Sequence, residues 1–158
     1  MRQLSLRKLF FIAAMAGAAC ASQTMVSAQP ADQPVAAPAL QPQSVWSGVY
    51  SETQAFRGEK IADEACQGCH GPGLDGGDSG PKLVGARFLS AWNSKSAAEL
   101  FDWILKNMPE HAPGTLKEEE VASLLAYIFQ RNEMPAGRQD LPVARDALGQ
   151  ITILATRP

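Results

Sequence analysis

The run Cys66-Gln67-Gly68-Cys69-His70 constrains this chain more than any other feature of it. Two thiols three positions apart, followed at once by an imidazole, form the C-x-x-C-H pattern of covalent haem attachment. Each thiol can form a thioether with a vinyl group of the same porphyrin, and the adjacent imidazole can ligate its iron. Two other chemistries use the same residues. A redox dithiol belongs with a βαβ pattern, which is missing here. A structural zinc site needs four ligands, and the remaining Cys20 and His111 are too remote to make a second ligand pair. The residues favour one covalent haem c and its iron.

The first 28 residues read as a signal peptide. Arg2, Arg7 and Lys8 precede an apolar run, Leu9 to Met15, and Val26-Ser27-Ala28 offers small residues for cleavage after Ala28. The apolar run is short of the roughly 20 residues a membrane span requires, which disfavours a retained anchor. Lipidation at Cys20 is a third route, weakened by Gly17 where a larger apolar residue is usual. Export to the periplasm agrees with the haem motif, because c-type haem is attached outside the bacterial cytoplasm. Residues 29–44 form a linker in which Pro30, Pro34, Pro38 and Pro42 recur among Ala, Gln and Val. Such a segment is extended and coreless, and is either a passive leader or a tether to a membrane or partner.

Three of the 14 basic side chains and none of the 16 acidic ones fall within residues 1–28, so the remainder carries 11 against 16, a net −5. That balance disfavours nucleic acid and anionic lipid and favours a partner with a basic face.

From residue 45 to 158 the pattern is that of an all-α domain with long loops. Ser51-Glu52-Thr53-Gln54 reads as a capping box opening a helix to about Cys66, with a small-sided face of Ala55, Gly58, Ala62 and Ala65. A second box, Ser96 to Glu99, precedes Leu100, Trp103, Ile104 and Asn107 at helical spacing, and Pro109 helps end that helix. A third, Thr115 to Glu118, precedes the stripe Val121, Leu124, Leu125 and Ile128. No alternating strand pattern of any length intervenes. The glycines between Gly71 and Gly80 permit tight turns that bring backbone close beneath a flat ligand. No strand precedes that run and no Gly-Lys-Ser/Thr closes it, so it is not a phosphate cradle.

After His70, the second axial position of a haem iron has Met108, His111, Met134 and, as weaker ligands, the lysines as candidates. Met108 ends a helix and is followed by Pro109, where a loop can turn a thioether towards iron. Such a ligand raises the reduction potential relative to a second imidazole. His111, three residues on, is the rival; Met134 lies beyond the last helix.

Several further pieces stand in order: Gly58 eight residues before the motif, His70-Gly71, Gly80-Pro81-x-Leu83-x-Gly85, Met108-Pro109 and Leu124-x-x-Tyr127. In these the chain resembles the class I bacterial c-type cytochromes over roughly residues 46–154. It is most similar to small exported cytochromes with a lead-in like Val45-Trp46-Ser47-Gly48-Val49-Tyr50, a segment like Met108 to Leu116, and a late Pro135-Ala136-Gly137. Such proteins are often associated with quinoprotein dehydrogenases. The resemblance implies a cytochrome c-like bundle of about four to five helices around one haem. It also implies that Pro81 offers its carbonyl to the His70 ring and that Gly58 lets the first helix cross the last beside Leu124 and Tyr127. Family members often carry an aromatic residue where this chain has Ala62. Trp92 is expected either to donate its indole N–H to a propionate or to serve as core.

Three functions compete. The first is a periplasmic one-electron carrier, not an enzyme, with His70 and Met108 on the iron. It would take electrons from a periplasmic dehydrogenase and pass them to an oxidase or another cytochrome. The second is a haem enzyme, or a gas or peroxide sensor, with an open sixth position. The third is a permanent dehydrogenase subunit docked through Val45–Tyr50 and the tail Leu141–Leu154, although both segments are also suited to packing on their own domain.

Overall fold

The computed structural model of this chain describes residues 42–158. The expected signal peptide and most of the Pro-rich segment lie outside the described residues. Among them the fold is mostly helical, as expected, with six α-helices: α1 (Glu52–Ala65), α2 (Gln67–His70), α3 (Ala86–Trp92), α4 (Ala97–Asn107), α5 (Glu118–Arg131) and α6 (Arg145–Gly149). None of these is long and apolar enough to cross a membrane.

The Ser51 hydroxyl accepts from the Gln54 backbone N–H and starts α1. Gln54 does not return the bond as a capping box would. Its amide is instead buried against Leu141, donating to the carbonyl at 3.0 Å and accepting from the N–H at 2.6 Å. That exchange ties the start of α1 to the tail, and a long-range pairing has displaced a local one.

Helix α1 packs along α5 as its small face suggests, with Ala55, Gly58 and Ala62 buried. The crossing is tighter than sequence implied. A Cβ on Gly58 would collide with the Ser123 carbonyl and stand 2.9 Å from Tyr127 Cβ. Ser123 and Tyr127, rather than Leu124, are thus the immediate neighbours.

The second box forms as expected: Ser96 caps the Glu99 N–H and Glu99 reaches back to the Ser96 N–H at 2.7 Å. The third is displaced by two residues. Thr115 closes its own loop on the Ala112 carbonyl at 2.8 Å, and α5 starts after Lys117, whose N–H is taken by Glu120 at 2.8 Å. Burial on α5 also exceeds one stripe, since all nine residues from Val121 to Phe129 are buried. This helix touches α1, α4 and the turn after the haem motif, so it has no broad solvent face.

Two features have no antecedent in the sequence pattern. Gln43–Ser44 (β1) pairs in parallel with Ile151–Thr152 (β2), too short a match to show alternation. The Trp46 indole then donates to the Leu154 carbonyl at 3.0 Å. Val45, Val49 and Tyr50 of the lead-in, and Leu141, Leu148, Ile151 and Ile153 of the tail, are all buried in this domain. These buried apolar residues of both segments therefore serve the fold, the second of the two roles expected for them.

Candidate functional site

Cys66 closes α1, its N–H bonded to the Ala62 carbonyl at 2.9 Å, and the chain continues at once into the single turn of α2. In helical geometry Cys66, Cys69 and His70 stand at i, i+3 and i+4, so one turn presents them to the same side. All three line one cavity of about 390 Å³, within the range of cofactor sites. Its wall is largely apolar and includes Leu74, Phe88, Leu100, Ile104, Leu124 and Ile128. Met108, the residue that ends α4, lines the same space.

His70 is buried, and its Nδ1 lies 2.7 Å from the Pro81 carbonyl. A carbonyl can only accept, so Nδ1 carries the proton and the ring's lone pair is on Nε2. The Gly-rich loop brings Pro81 there. Gly76 N–H bonds the His70 carbonyl at 2.6 Å, and a Cβ on Gly80 would stand 2.8 Å from the Cys69 carbonyl and 3.0 Å from His70 Nδ1. A glycine is needed at that close approach. Arg131, at the end of α5, clasps the loop through the Gly73 carbonyl at 2.9 Å and Asp75 at 3.1 Å.

Burial, with a smaller contribution from neighbouring Cys69, pushes the Cys66 thiol up to about 11. A redox dithiol needs the opposite, an attacking thiol whose value is pulled down. Nor do three or more His, Cys, Asp or Glu side chains gather as a metal-ion cluster among the described residues. Two thiols beside one imidazole, on a largely apolar cavity, make the donor set that covalent haem requires.

The exposed His111 borders this cavity as well, so Met108 and His111 face one space. Met134 does not; it is buried elsewhere, beside the Tyr50 hydroxyl that donates to its carbonyl at 2.6 Å. Trp92 lines the cavity and meets Trp103 edge-on, ring centroids 6.2 Å apart. Trp103, expected on the inner stripe of α4, is 46% exposed at the cavity rim, and Phe101 takes the core position. Lys82, Arg87 and Glu110 are the charged residues of that rim. Arg131 and Asn132 carry no motif, and only the fold reveals their link to the loop.

Residues 53–128 match the family model described as cytochrome c oxidase, cbb3-type, subunit III. A search of curated proteins found no match. Among solved structures, a chain of the sulfane dehydrogenase SoxCD from Paracoccus pantotrophus aligns at TM-score 0.47 and 16% identity. The alignment covers 81% of this chain and 68% of that one. The described residues form a mostly helical, cytochrome c-like domain.

Proposed function

We propose that the chain is an exported one-electron carrier with a single covalent haem c, ligated by His70 and Met108. The observation that carries this reading is the meeting of Cys66, Cys69, His70 and Met108 on one largely apolar cavity. The family match of residues 53–128 to a cytochrome c domain supports it. Cys66 and Cys69 would hold the group by thioethers, and His70 would offer Nε2, since Nδ1 is engaged by Pro81. Bound there, haem supplies a one-electron iron couple.

The chain's own residues tune and enclose that couple. The Pro81 carbonyl fixes the imidazole ring and makes it a stronger donor. The Met108 thioether, soft and neutral, favours the ferrous state. The apolar wall lowers the polarity around the site. Held by His70 and Met108, haem would offer no open position to a substrate, so the chain would pass electrons between proteins rather than transform one. In this reading residues 45–158 are the haem domain, working in the periplasm behind a signal (1–28) and a linker (29–44). A periplasmic dehydrogenase is its donor, and an oxidase or another cytochrome its acceptor.

Spectra of the full chain, expressed with haem-maturation machinery, test this directly. Sharp c-type bands are expected, with a weak near-infrared sulfur-to-ferric-iron band that Met108→Ala abolishes and His111→Ala retains. The reduced protein should resist carbon monoxide at neutral pH. A c-type spectrum of the unmutated chain without the near-infrared band would point to His111 or an open sixth position, and absence of covalent haem would end the reading.

A further inference from the structure

Asn132, only 6% exposed, caps the C-terminal end of α5. Its side chain is fully engaged. Oδ1 accepts from the Gly85 N–H at 2.9 Å, while Nδ2 donates to the Leu83 carbonyl at 3.0 Å and the Ile128 carbonyl at 2.8 Å. The amide orientation is fixed by its partners, since an N–H can only donate and a carbonyl can only accept. Aspartate has no donor for the two carbonyls, and leucine has neither donor nor acceptor.

What Asn132 grips is the segment two to four residues beyond Pro81. Pro81 and Lys82 are themselves exposed, so burial does little to hold the Pro81 carbonyl at the His70 ring. The segment is anchored just beyond them, by the Leu83 N–H on the Leu74 carbonyl at 3.0 Å and by the Asn132 amide. Gly85 also precedes α3, whose Phe88 and Trp92 line the cavity.

We propose that Asn132 is a positioning residue for the His70 ligand. It clamps Leu83–Gly85 to the end of α5 and thereby holds the Pro81 carbonyl on the His70 Nδ1 proton. The inference rests on His70 being an iron ligand. Loosening the clamp weakens that hydrogen bond, makes the imidazole a poorer donor and stabilises ferric iron less. The reduction potential should therefore rise.

The test uses haem-loaded full chain carrying Asn132→Leu, similar in size but without the three bonds. Gln54→Leu serves as control, since it removes another buried amide clamp at the start of α1, on Leu141. Three quantities are read: deuterium exchange of the His70 Nδ1 proton by NMR, reduction potential and urea stability. Asn132→Leu should speed the exchange about tenfold or more and raise the potential. Gln54→Leu should lower stability and move neither. Lost stability with wild-type exchange and potential in Asn132→Leu would overturn the proposal. If Asn132→Leu does not fold, Asn132→Ser is read by the same criteria. Failure of both to accumulate as haem protein, while Gln54→Leu does, would make the residue structural only. An unmutated chain without haem, or with iron not bound to His70, fails the underlying reading instead, before any variant is made.

Discussion

At Gly58 two helices meet with no room for one more carbon. Any side chain there must push α1 away from the Ser123 carbonyl and Tyr127, and backbone cannot yield as a flexible side chain can. Gly58→Ala should therefore cost about 1–3 kcal/mol, in the range of core overpacking, read as a lower urea midpoint of the haem-loaded protein. The position was legible from the small-sided face of α1 and from what the family resemblance implied; the contact with Ser123 was not, because it depends on the rotation of α5. Tyr50 makes a second case. Burial, and then the nearby Glu52 charge, raise its phenol to about 12, against an ordinary value near 10. The folded state thus holds the proton more tightly than the unfolded chain. Its contribution is fully present below about pH 10 and is lost as pH rises towards about 12. Tyr50→Phe leaves the Met134 carbonyl without its 2.6 Å partner, which should cost about 1–2 kcal/mol at neutral pH. Comparing urea midpoints of the two proteins across that alkaline range isolates the phenol: the gap should narrow as pH rises. A constant gap would mean that the hydroxyl titrates normally.

Helix starts with a complete local signal were readable from sequence, and those with competing partners were not. Ser96 and Glu99 satisfy each other within one turn, and α4 begins where the pattern says. Ser51 caps α1, but the expected return from Gln54 was outcompeted by Leu141, a residue no local rule could find. Thr115 was drawn off by the Ala112 carbonyl. On α5 the periodic stripe was real but incomplete, because a helix covered on several sides buries every residue from Val121 to Phe129 and not one stripe alone. The short α3 and α6 had too few turns to show a period. At this scale the expected outcome is that Ser96→Ala costs about 1 kcal/mol, the usual loss of a cap. The variant should fray the first turn of α4 and leave its far end, where Met108 stands, in place. Amide hydrogen exchange would show faster exchange at Ala98 and Glu99 with the end of the helix unchanged. Faster exchange along the whole of α4 would mean instead that the cap holds the helix as a unit.

For the molecule as a whole, the haem motif and its order of neighbours made the cavity legible, since covalent attachment demands those residue types at that spacing. The closure of the domain was hidden. It joins residues about a hundred positions apart through strands of two residues and single hydrogen bonds: Gln43 with Ile151, Ser44 with Thr152, and the Trp46 indole with Leu154. None of these residues lines the cavity, so lead-in and tail act on the site only through the stability of the frame around it. Deleting residues 151–158 would remove Ile151 and Ile153, 5% and 0% exposed, together with the partner strand of β1 and the acceptor of Trp46. Two such side chains contribute about 1.5–3 kcal/mol each, a large fraction of the roughly 5–15 kcal/mol that holds a domain of this size. The truncated chain should attach haem poorly, or unfold at much lower urea, while any protein that does fold keeps the axial-ligand spectrum of the full chain. Ile153→Ala offers a milder version, expected to cost about 2–5 kcal/mol. If truncation left stability unchanged and instead abolished co-purification with a dehydrogenase, the tail would be a docking element despite its burial. Loss of stability with unchanged association would place its work inside the domain, as its packing against Lys95, Asn93 and the lead-in implies.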